Sequence, residues 1–248
     1  MKKTNYSKIA ATYDQSEARH YIRKDENIEI LLKKFDSIRV LDLGCGTGNY
    51  LARQQDLFGT EKVEWYGVEP SEGMLNVAKS KVENVDFRLG SAEELPHENT
   101  FFHYVICNHS YHHFLDKERG FSQVHRVLVP NGLFFINSIY PFEMIDSWIY
   151  SFFENSYEED CKRFLPEDAL TKILVSLGFT PRIDLDKRID TLLTAKLINE
   201  AMKRNYSQLD IIDEESYAKG LYVMRKFFSE GYTEMESEYC KMYVLSEK

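Results

Sequence analysis

Between Arg39 and Gly48 the chain reads Arg-Val-Leu-Asp-Leu-Gly-Cys-Gly-Thr-Gly, an apolar run that ends in three closely spaced glycines. Val40, Leu41 and Leu43 suit a short parallel strand buried on both faces. Gly44, Gly46 and Gly48 then remove Cβ atoms where the chain must turn tightly, and bare backbone of this kind lets a ligand lie close. The spacing is G-x-G-x-G. Dinucleotide sites use G-x-G-x-x-G, with pyrophosphate on the helix N-terminus, so the early third glycine argues for a ligand without pyrophosphate and leaves a dinucleotide enzyme as the nearest rival. Glu69 closes the next apolar strand, 21 positions past Gly48. A carboxylate at the tip of a second strand, about 20 residues on, is placed to accept hydrogen bonds from ribose hydroxyls.

With 248 residues, of which 43% are hydrophobic, the chain is long enough for one α/β domain with a sizeable core and a smaller appendage. No apolar stretch approaches the roughly 20 residues of a membrane span, and Met1-Lys2-Lys3-Thr4-Asn5-Tyr6 lacks the apolar core of a signal peptide, so the expected location is the cytoplasm. Cys45, Cys107, Cys161 and Cys240 have no CxxC spacing, which indicates neither a zinc site nor a disulfide framework. A net charge of −9 opposes non-specific attraction to a polyanion, making a nucleic-acid partner unfavourable.

Strands and helices alternate from about residue 38 to residue 190, the pattern of a doubly wound parallel sheet. Ser71 can cap a helix with Met74, Leu75, Ala78 and Val82 on its inner face. Asp116 opens another, with Phe121, Val124, His125 and Leu128 inward and Pro130-Asn131-Gly132 as its stop. A third follows Pro166, with Leu170, Ile173, Leu174 and Leu177 inward and Gly178 beyond it. A sixth strand is expected near Ile183 to Ile189 and a last near Tyr239 to Leu245. Between them, Leu193, Leu197, Ile198 and Ala201 mark one helix, and Tyr217, Leu221, Met224 and Phe228 another. The expected organisation is a helical lid segment over 1–36, an α/β core over 37–190 and 237–248, and a helical insertion over the active site at 191–236.

The motif Val40-Leu41-Asp42-Leu43-Gly44-Cys45-Gly46-Thr47-Gly48 resembles the first motif of class I S-adenosylmethionine-dependent methyltransferases. Gly90-Ser91-Ala92-Glu93-Glu94-Leu95-Pro96 is similar to the motif after their third strand, and Phe102 to Asn108 to their fourth. Val124 to Leu133 looks like the helix, turn and fifth strand of the ubiquinone/menaquinone-biosynthesis-type (methyltransferase type 11) subgroup. The resemblance covers roughly residues 38 to 139. It implies a Rossmann-like, mostly parallel seven-stranded sheet with a helical lid between strands six and seven, S-adenosylmethionine as cofactor and S-adenosylhomocysteine as product. By the same resemblance Asp42, Gly44, Gly46 and Gly48 hold the amino-acid end of the cofactor and Glu69, followed by Pro70, the ribose. Met74 packs near the adenine, the backbone of Ser91, Ala92 and Glu93 reads its edge, and Asn108 lies near the methionine part. Family members commonly carry Asp where Ser91 stands. The segment Ala10-Ala11-Thr12-Tyr13-Asp14 is similar to one that often supplies a tyrosine beside the cofactor, which makes Tyr13 a candidate.

A methyl group on a sulfonium is already electrophilic, so such a site needs chiefly to hold an acceptor in line and exclude water. Where the acceptor must lose a proton, His109, His112 and His113 have a suitable intrinsic pKa, and His112 and His113 are the catalytic candidates; a bland polar-loop role is the competing reading. No acidic residue at recognisable spacing turns these histidines into a metal site. Tyr140, Phe142, Trp148, Tyr150, Phe152, Phe153 and Tyr157 crowd the segment after strand five, which suits an aromatic or apolar acceptor, an amine held over ring faces, or simple lid packing. The expected activity is methyl transfer to a small molecule. A tRNA or protein methyltransferase and a non-catalytic cofactor-binding interaction protein are the alternatives.

Overall fold

A computed structural model of the chain describes residues 6–10, 13–15, 22–204 and 206–248. Ala11 and Thr12, part of the segment whose resemblance makes Tyr13 a candidate, lie outside the described residues. In chain order the elements are α1 (Tyr6–Ile9), α2 (Glu26–Leu32), β1 (Ile38–Leu43), α3 (Asn49–Phe58), β2 (Val63–Glu69), α4 (Glu72–Lys81), β3 (Val85–Leu89), β4 (Phe102–Asn108), α5 (Lys117–Val127) and β5 (Leu128–Ile139). After these come α6 (Trp148–Phe152), α7 (Ser156–Arg163), α8 (Glu167–Ser176), β6 (Thr180–Leu193), α9 (Thr194–Lys203), α10 (Ser207–Ile211), α11 (Glu214–Ser229) and β7 (Glu234–Glu247). The chain forms two compact units, a larger one of residues 5–138, 167–184 and 243–248, and a smaller one that includes 139–166 and 185–242. No helix of the described residues is long and apolar enough to cross a membrane.

The sheet has seven strands in the order β3-β2-β1-β4-β5-β7-β6. The pairs β1–β2, β1–β4, β2–β3 and β4–β5 are parallel. Asn131 N bonds Lys248 O and Tyr140 N bonds Cys240 O, so position rises along β5 as it falls along β7 and the last strand runs antiparallel. The order reverses between β1 and β4, and a crevice forms outside the carboxyl ends of the strands at such a switch point. β1 is buried along most of its length. Ile38 and Val40 join Ile28 and Leu31 of α2, Leu51 of α3 and Trp65 of β2 in one apolar core.

The helix signals act as the sequence predicts. Ser71 Oγ accepts from Met74 N, and α4 buries Met74, Leu75 and Ala78. Asp116 caps α5 through Arg119 N. α8 buries Leu170 and Leu174, and Gly178 follows it with a φ of 96°. The expected stop for α5 behaves differently: Leu128 leaves the helix directly into β5, which absorbs Pro130-Asn131-Gly132. Lys248 explains this, because its amide donates to Gly132 O while its carbonyl accepts from Asn131 N, drawing the turn into the ladder. β6 and β7 also extend well beyond the short apolar runs that announce them.

The smaller unit has its own apolar cluster of Trp148, Ile149, Phe153, Leu197, Ala201, Leu209, Ile212, Tyr217 and Met224. Two expected members of the helical stripes fall off them: Leu193 ends β6 and is 55% exposed, and Phe228 is 40% exposed. On α11 the buried line runs through Tyr217, Gly220 and Met224. A Cβ at Gly220 would come within 2.4 Å of Phe153 Cδ1, so close helix packing requires a glycine there and moves the stripe.

Candidate cofactor site

The turn after β1 is pinned to the end of β2, since Gly44 N and Cys45 N both donate to Val68 O at 2.8 and 3.1 Å. Its three glycines have positive φ but different surroundings. A Cβ at Gly44 would lie 2.5 Å from Ser110 Cβ, and one at Gly48 would lie 3.2 Å from Ala78 Cβ. Both glycines let neighbouring chain close in. Around Gly46 nothing lies within 4 Å of the position a Cβ would take. Gly46 is therefore the glycine whose bareness faces free space.

Glu69 reaches back over this turn. Its Oε2 accepts from Gly46 N at 3.0 Å and its Oε1 from Ser71 N at 2.9 Å, which ties the turn to the start of α4. Burial raises its pKa, and the two backbone bonds oppose the rise. A carboxylate has about four lone-pair sites, so each oxygen retains capacity for a hydroxyl donor.

Asp42, only 2% exposed on β1, has no hydrogen-bond partner at Oδ1. Burial and then the charge of Glu69 push its pKa to about 8. Two carboxylates out of water, with no cation among the described residues acting on Asp42, form an unbalanced pair. A ligand bringing an ammonium group and hydroxyl donors, as the amino-acid and ribose parts of S-adenosylmethionine do, suits this donor-poor arrangement and the open side of Gly46.

The other predicted residues fall around this centre or are engaged elsewhere. Met74 is buried on the inner face of α4, Pro70 is exposed, and Ala92 is buried. Glu93 Oε1 accepts from Leu115 N at 2.6 Å and Asp116 N at 3.3 Å. Partial burial pushes its pKa up, but bonds from backbone and from Ser91 outweigh that and lower it; the side chain holds the approach to α5. Asn108, at the end of β4, accepts from Asn137 Nδ2 at 3.2 Å. Asn137 Oδ1 is buried without a partner, and sequence reasoning missed it because a lone polar residue in a strand carries no motif.

The loop after β4 is shaped by His109, whose φ is 48° and whose N–H donates to Asn137 O. His112 is buried, and its ring lies 3.9 Å from that of His113. Tyr6 Oη and His113 Nε2 are 2.7 Å apart. Tyr13 lies in a short 3-10 turn, its ring 6.0 Å from that of Tyr6. Its neighbour Asp14 was a second omission. The Asp14 carboxylate accepts from Thr47 Oγ1 at 2.7 Å, Asn49 Nδ2 at 2.8 Å and Lys81 Nζ at 2.6 Å. These bonds fasten the described part of the N-terminal segment to the glycine turn, and they lower the Asp14 pKa although burial works against them. Among the described residues no group of three His, Cys, Asp or Glu side chains is placed to hold a metal ion.

An open, mostly parallel sheet with a glycine turn after β1 and an acid at the tip of β2 defines a Rossmann-like nucleoside-binding fold. Residues 40–132 match the family model of a methyltransferase domain. The demethylmenaquinone methyltransferase of Chlorobaculum tepidum is 29% identical over 164 residues, covering 57% of this chain and 65% of the relative. A solved Anabaena variabilis structure named for a methyltransferase of an antibiotic biosynthesis pathway shares 20% identity at a TM-score of 0.68, covering 91% of this chain and 98% of that one. The phosphoethanolamine N-methyltransferase 2 of Haemonchus contortus, solved with S-adenosyl-L-methionine, has a TM-score of 0.58 and 17% identity, covering 99% of this chain and 60% of that one. Over the matched part the chain is similar to S-adenosylmethionine-dependent methyltransferases, among them ones named for ubiquinone/menaquinone biosynthesis. It spans under two thirds of the length of the curated relatives it matches first.

Proposed function

We propose that this chain transfers a methyl group from S-adenosylmethionine to a small molecule. One observation carries the reading: the partnerless Asp42 oxygen beside Glu69, next to the open side of Gly46. Bound S-adenosylmethionine supplies an electrophilic methyl group on sulfur. Asp42 accepts from the amino group of the cofactor, Glu69 from the ribose hydroxyls, and Gly46 leaves room for the nucleoside against the backbone. Gly44 and Gly48 keep the turn and its neighbours in place. Met74 and the backbone of Ser91, Ala92 and Glu93 border the base, Pro70 follows the ribose-binding acid, and Asn108 and Tyr13 flank the methionine part. Holding the acceptor in line and excluding water then supplies most of the acceleration. His112 and His113 are the groups to take a proton from an acceptor that carries one.

Thermal unfolding with ligands tests the cofactor. A ligand that binds only the folded state at about 100 times its Kd stabilises by about 2.7 kcal/mol, several degrees of melting temperature for a chain of this size. S-adenosylhomocysteine should give that shift and NAD should not; the reverse result sinks the assignment. Incubation of a metabolite extract with methyl-labelled S-adenosylmethionine then reads the acceptor class. Because the Chlorobaculum tepidum relative is named for demethylmenaquinone, demethylmenaquinone is the first single compound to try. Label entering tRNA or protein, and not small products, would favour the polymer alternatives.

A further inference from the structure

β6 is the last strand of the sheet order, and over its 14 residues one edge has no neighbouring strand among the described residues. An edge of that length presents a row of outward N–H and C=O groups that another strand can pair with, and proteins usually blunt such edges with charge. The charges on β6 are placed differently. Arg182, Asp184, Asp186, Arg188 and Asp190 occupy alternate positions and so share one face, while Ile183, Leu185, Lys187 and Ile189 share the other. Ile189 is 62% exposed and Leu185 42%. Within the single chain, Arg182 pairs with Asp184 at 3.0 Å and Arg188 with Asp190 at 2.8 Å. Their side chains are 78% and 60%, and 52% and 38%, exposed. Exposed pairs of this kind contribute little and are easily exchanged.

We infer that β6 is a homodimer edge, pairing antiparallel with β6 of a second copy about a twofold axis at Asp186. The register follows from two constraints. Thr194 N donates to Thr233 O at 2.9 Å just beyond β6, and the Arg188 guanidinium lies over the Tyr239 ring at 4.6 Å, both in the same antiparallel alignment with β7. Along that ladder the even-numbered amides of β6 turn toward β7 and the odd-numbered ones turn outward. A second β6 must therefore set odd residues opposite odd residues. Of the registers that do so, centring on Asp186 sets Arg182 opposite Asp190, Asp184 opposite Arg188 and Ile183 opposite Ile189, each twice by symmetry. Moving the centre by one residue either way sets Arg182 opposite Arg188, or Asp184 opposite Asp190. The charged pairs also fall at the non-hydrogen-bonded positions, where side chains lie closest. The single unfavourable pair is Asp186 against itself, diagonal to the two Arg188 side chains.

Analytical ultracentrifugation of the full chain tests this at micromolar concentration, with circular dichroism melts confirming that each variant is folded. Wild type should sediment as a dimer. Arg188→Asp puts like charges opposite at two places and should weaken the dimer at least tenfold. Adding Asp184→Arg restores opposite charges in the same register and should recover affinity to within a few-fold. Asp186→Asn removes the central repulsion and should tighten the dimer. A monomeric wild type, a dimer indifferent to Arg188→Asp, a double variant no better than the single, or an Asp186→Asn dimer that is unchanged or weaker overturns the assignment.

Discussion

Two buried carboxylates separate the two regions of this molecule. In the smaller unit Asp160, fully buried, pairs with the buried Arg163 and accepts from Tyr150 Oη at 2.6 Å. Burial raises its pKa, and Arg163 and its hydrogen bonds pull the other way. In the larger unit Asp42 is buried to the same degree, but the charge that acts on it is Glu69, which adds to the rise. In the smaller unit the buried carboxylate is met by an opposite charge, although Arg163 Nε and Nη1 keep no hydrogen-bond partner; in the larger, the charge acting on the buried carboxylate has the same sign and Asp42 Oδ1 is left bare. Glycines tell the same story. Gly220 is pressed against Phe153, while Gly46 opens to free space. A buried charge beside its counter-charge serves packing, whereas a buried carboxylate beside a like charge is completed by a cation that binds.

The comparison breaks most visibly at Arg163. Arg163→Met strands Asp160 and should cost about 3–5 kcal/mol of stability in urea titrations, and adding Asp160→Asn should recover much of the loss. If the single variant is as stable as wild type, the smaller unit does not rely on that pair. Asp42→Asn should behave in the opposite way. Its melting temperature without ligand should be unchanged or higher, while S-adenosylhomocysteine affinity measured by calorimetry falls by about 1–3 kcal/mol through the lost charged partner. Glu69→Ala should lose affinity on the same scale but also loosen the turn it bridges.

Gly220→Ala should destabilise by about 1–3 kcal/mol through overpacking against Phe153 and leave cofactor affinity within a few-fold. Gly46→Ala, with no neighbour to strike, should cost only the strain of its positive φ, about 1–2 kcal/mol, and be felt mainly in binding. Equal binding losses in the two variants would erase the distinction between the regions.

Proton linkage sharpens the comparison further. Asp42 has a folded pKa of about 8, above its unfolded value, so its contribution to stability without ligand is full below the unfolded carboxylate pKa and is lost as pH rises through 8. A ligand ammonium favours the ionised form, so S-adenosylhomocysteine affinity should instead rise with pH toward 8, by at most tenfold per unit. Both slopes should flatten in Asp42→Asn, and parallel curves for the two proteins would show that Asp42 does not titrate with binding. At the histidines the effect is bounded from above: His112→Ala and His113→Ala should each lower kcat by less than about 100-fold, the lower bound for a general base. A larger loss with intact cofactor binding would give one of them a central part in proton transfer.

The aromatic segment after β5 shows where a composition signal leaves two readings open. Its density of rings suits an acceptor pocket, yet Trp148 and Phe153 lie in the core of the smaller unit and Phe152 packs on Phe227 at 5.5 Å. Ring count is the same for a pocket and a core. Only the arrangement of α6 against α9 and α11 tells them apart, and those contacts join residues some 45 to 75 positions apart in the chain.

What the sequence determined by itself is local or regularly spaced. The apolar run of β1, its glycine turn, the acid closing β2 and the caps Ser71 and Asp116 all act through neighbours within a few residues or through one βαβ unit, so their physics is written in order along the chain. Tertiary structure decided which glycine faces open space, because Ser110 and Ala78 arrive at Gly44 and Gly48 from distant loops and helices while the position a Cβ would take at Gly46 stays empty. It also decided that Asp42 sits beside Glu69 without a counter-charge, that Asn137 stands next to Asn108, and that Asp14 fastens to Thr47, Asn49 and Lys81. Burial and charge proximity are properties of space, and residues that meet only after folding leave no periodic mark in a sequence.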